Sequence, residues 1–345
     1  MTEPPTATET PTAPEPSAVT GPPAVTVPLA GTEPLARLAR DVAALAECWE
    51  DRPLLSRGLG SFDDVFSLSR MESVLASAPL VSSFVRLMRD GDQPDPGRAA
   101  RPRERGGPRA EQLVDPAKLA RELRGGTTIL LEEVQTCCPE VAALARGVED
   151  ATGYATYSAA FLTPPGARGA APHYDLASVF IRQLHGSKRW QVGRPVEPWP
   201  KEPWNNRKVP LDGRVEYLLE EGDCLYLPRG YVHVGEATGA ASLHLSIALK
   251  PVTWEQVLVR RIAELAAREP ALRQALPLGF HRAPDGAMAS LMASRAELVR
   301  EHLGEPPCER AWKTVRDGHA PPRRTPPGEL AADLRDALEE GGRES

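Results

Sequence analysis

Apolar positions at helical spacing mark the first folded part of the chain. They recur from Leu35 to Trp49 at intervals of three and four residues, and shorter amphipathic helices are predicted at Ser69–Ser77 and Pro116–Leu123. A Pro-, Gly- and Arg-rich stretch at 92–110 interrupts this pattern and predicts a mobile loop. We therefore assign residues 32–125 to an N-terminal helical segment.

The pattern changes to short β-strands between residues 126 and 251. Gly186, Gly222, Gly230 and Gly239 fall at the breaks between apolar runs, as turns require. The predicted strands are Thr127–Leu131, Thr156–Leu162, Ser178–Leu184, Arg189–Val192, Arg214–Leu219, Asp223–Leu227, His233–Glu236 and Ser242–Leu249. So many short strands in one stretch favour a closed barrel or a double-sheet jelly roll. The fold class is thus a mainly β core flanked by N-terminal helices and a C-terminal helical region.

Residues 252–345 return to helical spacing. Amphipathic helices are predicted at Trp254–Arg268 and Ala287–Leu303, and a last helix at Leu330–Glu339 follows a Pro-rich linker at Pro321–Pro327. The apolar face of Trp254–Arg268 is a candidate homodimer interface rather than a membrane-binding surface.

Composition separates the folded chain from its first residues and narrows the class of partner. Residues 1–31 hold eight prolines, seven threonines and no aromatic residue, which predicts a disordered tail. The net charge of -6 and the pI of about 5.8 argue against nucleic-acid binding. The chain has five cysteines without zinc-site spacing and lacks a long apolar run. We expect a cytoplasmic protein with reduced thiols and no membrane association.

The candidate chemistry is concentrated in His173-Tyr174-Asp175 and a later His233. Side chains at i and i+2 of an extended strand project to the same face, so His173 and Asp175 can meet. Two imidazoles and one carboxylate cap one face of Fe(II) and leave coordination positions open. A catalytic zinc ion accepts the same three ligands, so these residue types alone leave a hydrolase open.

Lys188 bears on which metal chemistry applies. It lies 13 residues after Asp175, at the start of a predicted strand. A cation that faces into a small barrel needs an anionic partner, and a dicarboxylic cosubstrate chelated to the metal would provide one. The alternative is an ordinary exposed hairpin lysine. The residues alone leave both interpretations open.

Several ordered motifs carry a family resemblance between about Leu45 and Leu249. They are the segments Trp49-Glu50-Asp51-Arg52-Pro53-Leu54, Arg86-Leu87-Met88-Arg89-Asp90-Gly91, Thr163-Pro164-Pro165-Gly166 leading to His173-Tyr174-Asp175, Gln183 with Gly186-Ser187-Lys188, and Gly222-Asp223 with Leu227-Pro228-Arg229-Gly230 leading to His233. Together they resemble the cupin-like JmjC oxygenases of the ribosomal-protein hydroxylase type. The resemblance implies a jelly-roll (double-stranded β-helix) fold, Fe(II) bound by His173, Asp175 and His233, and Lys188 on the distal carboxylate of 2-oxoglutarate.

The chain departs from that family on the strand before the first metal motif. Ala159 and Phe161 stand where many relatives have Asn and Tyr, which help to hold the cosubstrate. On the closing strand, Ser242, His244 and Ser246 share one face by alternation. Ser246 is the candidate additional cosubstrate contact; a satisfied barrel hydroxyl is the alternative.

Three functions follow as hypotheses. The first is an Fe(II)/2-oxoglutarate-dependent hydroxylase of a protein or peptide side chain, either in a ribosomal protein or in a biosynthetic peptide. The second is a non-catalytic, metal-binding cupin-fold scaffold, which the absence of the Asn and Tyr favours. Metal-dependent hydrolysis is the third. For Arg86 and Arg89 the default interpretation is a solvated helix face, with contact to an acidic substrate as the alternative.

Overall fold

A computed structural model describes residues 29–77, 80–102, 112–201, 210–282, 284–303 and 309–319. The chain divides into two compact units, one ending at Pro251 and the other beginning at Val252, and each is considered by itself. Most of the predicted tail, the loop residues 103–110, the linker and the helix Leu330–Glu339 lie outside the described residues.

Six helices precede or interrupt the β core of the first unit. Their bounds are α1 Glu33–Ala36, α2 Val42–Cys48, α3 Leu68–Ser77, α4 Pro116–Arg124, α5 Val134–Cys137 and α6 Pro139–Thr152. The single helix predicted from Leu35 to Trp49 is instead two, α1 and α2. The break occurs because the Asp41 side chain accepts hydrogen bonds from the backbone amides of Ala43 and Ala44, and so begins a new helix.

Helix α6 was absent from the sequence prediction, although its signals are present. Pro139 occupies its first turn, and Gly153 follows its end with a φ of 75°. Val141, Leu144 and Val148 form one buried face. The helix packs against the sheet that carries the site, since its apolar face belongs to the same core as strand residues Leu243 and Leu245.

The described residues form twelve strands. They are β1 Leu54–Ser56, β2 Val85–Met88, β3 Ala100–Arg101, β4 Leu113–Val114, β5 Thr128–Leu131, β6 Thr156–Thr163, β7 Ser178–His185, β8 Lys188–Pro195, β9 Val215–Leu219, β10 Cys224–Leu227, β11 Tyr231–Ala237 and β12 Ser242–Leu249. A seven-stranded sheet has the order β1-β10-β7-β12-β6-β5-β2, and a three-stranded sheet has the order β11-β8-β9. The strand pairs of both sheets are antiparallel. This confirms the predicted jelly-roll class and the eight predicted strands.

Strands β1 to β4 were not predicted. One of them corrects an interpretation, because Arg86 lies on β2 and not on a helix face. Its guanidinium donates a hydrogen bond to a Glu132 carboxylate oxygen at 2.8 Å. Arg89 follows β2 and bonds the Thr127 hydroxyl at 2.6 Å. Both arginines therefore have structural partners.

Alternation along the strands divides the core into two layers. On β12, Leu243, Leu245 and Ile247 face the layer that contains the helices, whereas Ser242 and His244 take the opposite face. Between the two sheets lies a second cluster that includes Ile181, Trp190, Val192, Leu219, Leu225 and Leu227. Each fully buried aliphatic side chain of this kind contributes roughly 1.5–3 kcal/mol. The site lies at one end of this inter-sheet layer.

The turn before β10 is anchored by charges. The Asp223 carboxylate accepts hydrogen bonds from the backbone amides of Gly58 and Glu220. It also forms an ion pair with Arg57 at 2.5 Å. The buried Arg182 side chain donates to the carbonyl oxygens of Gly222 and Gly60. The Gly-Asp pair of the second metal motif thus holds the segment that follows β1, residues 57–60, against the sheet.

The second unit is helical. It contains α7 Trp254–Arg268, α8 Pro270–Arg273, α9 Asp285–Leu303 and α10 Glu309–His319. Helix α7 starts with a capping box between Thr253 and Gln256 and packs on α8, α9 and α10. Among the described residues, no helix combines the length and apolarity needed to cross a membrane.

Candidate metal centre

The two metal motifs meet through their backbones. The amide of His173 donates to the carbonyl of His233 at 3.2 Å, and the amide of His233 donates to the carbonyl of His173 at 2.8 Å. Further along the same two segments, the amide of Gly230 donates to the carbonyl of Asp175 at 3.0 Å. The sequence analysis placed His173 and Asp175 on a strand; they lie on an extended segment joined to β11 by an isolated bridge.

The three predicted ligands converge on one point. One potential donor atom from each of His173, Asp175 and His233 lies within 4.8 Å of the others, and within the described residues no other such group is found. Nε2 of His173 is 3.8 Å from one Asp175 carboxylate oxygen, and Nε2 of His233 is 3.7 Å from the other. The donor set is that of a facial triad.

Hydrogen bonds to the far ring nitrogens orient both imidazoles. Nδ1 of His173 lies 2.8 Å from the carbonyl oxygen of Ala171, and Nδ1 of His233 lies 3.0 Å from that of Tyr231. A carbonyl only accepts, so each Nδ1 carries the proton and each Nε2 presents a lone pair to the centre. Burial lowers the pKa of His233 to about 4, which keeps that ring neutral and able to bind a metal.

The centre is open on one side. The His233 side chain is 6% exposed, but those of His173 and Asp175 are 36% and 46% exposed. A metal held here would therefore contact protein through one face and remain accessible to small molecules on the other. That is the arrangement of a catalytic and not a structural metal site.

Lys188 lies inside the barrel on β8. It is 3% exposed, so the alternative of an exposed hairpin lysine is wrong. Nζ donates to the Thr163 hydroxyl at 3.1 Å and lies 5.2 Å from the centre of the Trp190 ring. No carboxylate in the described part of the chain forms an ion pair with it, and burial lowers its pKa to about 7. This buried cation calls for an anionic ligand.

The face opposite Lys188 is a ladder of cross-strand pairs between β6 and β12. The pairs are Thr163 with Ser242, Phe161 with His244, and Ala159 with Ser246. The Ser242 hydroxyl accepts a hydrogen bond from the Gln183 side chain at 2.9 Å, which makes it a satisfied barrel hydroxyl. Ser246 is half-buried, on the same face of β12 as His244.

A family model described as the JmjC domain matches residues 133–257. Over this segment the chain is similar to JmjC domains. Ribosomal oxygenase 2 from Rattus norvegicus is 36% identical to it over 129 residues, which is 34% of this chain and 27% of that protein. Ribosomal oxygenase 1 from Danio rerio is 26% identical over 261 residues, covering 70% of this chain and 45% of that protein. The chain thus spans about a quarter to just under half the length of these curated relatives.

The fold is also seen in solved structures that resemble this one. YcfD, a ribosomal oxygenase from Escherichia coli, in complex with cobalt and 2-oxoglutarate, superimposes with a TM-score of 0.54 at 20% identity, covering 86% of this chain and 78% of that one. At this identity the likeness establishes the fold. The site is therefore judged on the residues of this chain.

Two residues near the candidate metal centre and Lys188 were not predicted to line the site. Thr163 bonds the lysine, and His244 stacks on Phe161 with ring centres 4.6 Å apart. The sequence did place His244 on the inward face of its strand. What it lacked was the register between β6 and β12, which pairs His244 with Phe161.

Proposed function

We propose that this chain is an Fe(II)- and 2-oxoglutarate-dependent oxygenase that hydroxylates a side chain of a protein or peptide. The observation that supports this best is the combination of an open triad at His173, Asp175 and His233 with a buried Lys188 that has no carboxylate partner in the described part of the chain. A hydrolytic zinc site needs the triad but gives no reason to bury a cation beside it. The lysine thus favours the oxygenase.

The residues present fit both groups. His173, Asp175 and His233 would hold Fe(II), and Lys188, positioned by Thr163, would bind the distal carboxylate of 2-oxoglutarate. Bound together, these groups supply the oxidative decarboxylation that couples O₂ to insertion of one oxygen atom into a C–H bond. The protein orients the imidazoles, keeps the side of the site at His173 and Asp175 open, and shields the distal carboxylate of the cosubstrate from water.

The substrate we propose is a ribosomal protein, with a biosynthetic peptide as the alternative. Support comes from the relatives, which carry the name ribosomal oxygenase. The exposed edges of His173 and Asp175 leave room for an extended chain at the mouth of the barrel. Mass spectrometry of proteins from cells with and without this gene tests the assignment. A ribosomal protein heavier by one oxygen only when the gene is present supports it; an unchanged ribosomal set, with a modified peptide instead, contradicts it.

Cosubstrate use is tested separately, with purified protein. We expect Fe(II)- and O₂-dependent formation of succinate from 2-oxoglutarate, which Lys188→Ala abolishes at ordinary cosubstrate concentration without loss of iron. Activity with zinc and no oxygen requirement would indicate a hydrolase. If neither succinate nor hydrolysis were found and metal still bound, the non-catalytic scaffold would be the better description.

We further propose that the protein forms a homodimer through α7. Trp254, Val259 and Ile262 are 80%, 63% and 41% exposed in the second unit, which is unusual for apolar side chains. Light scattering should give twice the monomer mass for the wild type and the monomer mass for Val259→Glu. We also place the protein in a reducing compartment, the cytoplasm, since Cys48, Cys138 and Cys224 are free thiols. A fluorescent fusion found outside the cytoplasm would contradict this.

A further inference from the structure

His244 is a buried polar group that the mechanism has so far left without a role. It is 1% exposed, and its ring lies between that of Phe161, 4.6 Å away and nearly parallel, and the edge of Trp190, 5.3 Å away. Both neighbours are aromatic. The packing therefore fixes the ring of His244, but neither aromatic neighbour satisfies its Nδ1 atom.

The Nδ1 atom of His244 has no hydrogen-bond partner among the described residues. The same is true of Nε1 of Trp190, the ring against which His244 packs. A buried polar atom left unpaired costs about 1–3 kcal/mol, and such atoms are rare in native proteins. Phe161 has no polar atom, and Nε1 of Trp190 is not hydrogen-bonded to His244, so neither ring satisfies Nδ1. A ligand rich in acceptor atoms would.

The position of His244 identifies which part of a ligand it would meet. On β6 and β12, the Phe161–His244 pair is adjacent to the Thr163–Ser242 pair, and Thr163 holds Nζ of Lys188. Trp190 contacts Lys188, His244 and the metal-ligand candidate His233. His244 therefore lies two residues along β12 from Ser242, the cross-strand partner of Thr163, and this spacing is about 7 Å.

The replacement of a family tyrosine by Phe161 suggests what His244 does. Many relatives have a tyrosine there, and its phenol would donate a hydrogen bond to the cosubstrate; phenylalanine cannot. Resting on the proposed 2-oxoglutarate dependence, we infer that Nδ1 of His244 donates a hydrogen bond to the distal carboxylate of 2-oxoglutarate, beside Lys188, in place of the missing phenol. His244 is thus a cosubstrate-binding residue.

The test measures cosubstrate affinity without turnover. Calorimetric titration of 2-oxoglutarate into the Fe(II)-loaded protein under anaerobic conditions should show binding weakened about 10- to 100-fold in His244→Phe, which keeps an aromatic ring but loses the donor. His244→Asn, whose amide can donate from a similar position, should stay within a few-fold of wild type. Adding Phe161→Tyr to His244→Phe should recover most of the loss.

A second ligand separates hydrogen bonding from packing. 2-Oxopentanoate has the same chain length but ends in a methyl group, so His244→Phe should not change its affinity. Equal weakening for both ligands, or wild-type 2-oxoglutarate affinity in His244→Phe, would overturn the assignment of His244. Failure of the wild type itself to bind 2-oxoglutarate would instead overturn the proposed function. The melting temperature of each variant shows whether it is folded.

Discussion

His173 and His233 are joined by a reciprocal pair of backbone hydrogen bonds, and their rings lie 4.5 Å apart. Because each amide donates to the carbonyl of the other residue, the two imidazoles are placed by the backbone of the jelly roll. No metal is needed to bring them together. The centre is preorganised in the same way as an oxyanion hole or a binding pocket on a rigid scaffold.

Loss of a triad side chain should therefore remove the metal but not the fold. In His173→Ala or Asp175→Ala we expect Fe(II) or Co(II) affinity to fall at least about 100-fold, more than for loss of an outer-shell partner. The melting temperature of the apo protein should change little, since the backbone bridge remains. Metal content after dialysis checks the loss of metal, and thermal unfolding followed by circular dichroism checks the melting temperature. His281→Ala, a change at an exposed histidine of the second unit, is the control. Full metal content in the Asp175 variant would refute the ligand assignment.

Lys188 should cost the apo protein stability. Its pKa is lowered to about 7 in the folded state, against 10.5 when unfolded. The unfolded chain thus binds more protons between these values, and stability rises with pH from about 7 to 10.5. Lys188→Met should stabilise the protein at pH 7 by on the order of 3 kcal/mol and remove this slope. Urea unfolding at pH 7 and 9.5 measures both. A less stable methionine variant would show that the lysine is not strained by burial.

The same proton should control cosubstrate affinity. A dicarboxylate binds the protonated lysine, so affinity for 2-oxoglutarate should be greatest below pH 7 and decline by up to about tenfold per unit above it. Lys188→Arg is the matched variant, because a guanidinium does not deprotonate in this range. Its affinity should be nearly constant from pH 7 to 9. An equally steep decline in the arginine variant would assign the titration to another group.

Glu50 should hold the second metal motif in place. Its carboxylate pairs with Arg229 at 2.7 Å and accepts the Ser178 hydroxyl at 3.0 Å, and Arg229 lies in the turn that bonds Asp175. Glu50→Gln should lower the free energy of unfolding by roughly 2 kcal/mol, because the pair is largely buried. It should also weaken metal binding, through the displaced turn. Glu140→Gln breaks the half-exposed pair with Arg70 and should lower the free energy of unfolding much less than Glu50→Gln does. Equal effects of the two changes would argue against this role.

The sequence predicted the elements of the fold more reliably than their pairing. Glycine punctuation and alternation located the eight described strands of the region 126–251. Spacing placed His173 and Asp175 on one face, and the family resemblance added His233. Strands β1 to β4 were not found, since they are two to four residues long and lie beside helices. Helix α6 was not found either, although its proline start and glycine end stand in the sequence.

The parts of the site that sequence analysis could not provide are those set by register. Nothing local indicates that His244 faces Phe161, or that Thr163 receives the Lys188 ammonium; both follow from how β6 pairs with β12 and where β8 lies across from them. The burial of Lys188 could not be predicted from the sequence either. Its neighbours in sequence are equally compatible with an exposed hairpin, and only the packing of the three-stranded sheet on the larger one encloses it.

The most direct test is an anaerobic titration of the apo protein with Fe(II) and then 2-oxoglutarate, followed in the visible range. The account predicts a weak metal-to-ligand charge-transfer band that saturates at one equivalent of iron in the wild type, is absent in Asp175→Ala, and needs much more 2-oxoglutarate in Lys188→Ala. A wild-type protein that binds iron but never develops the band, at any concentration of 2-oxoglutarate, would contradict it.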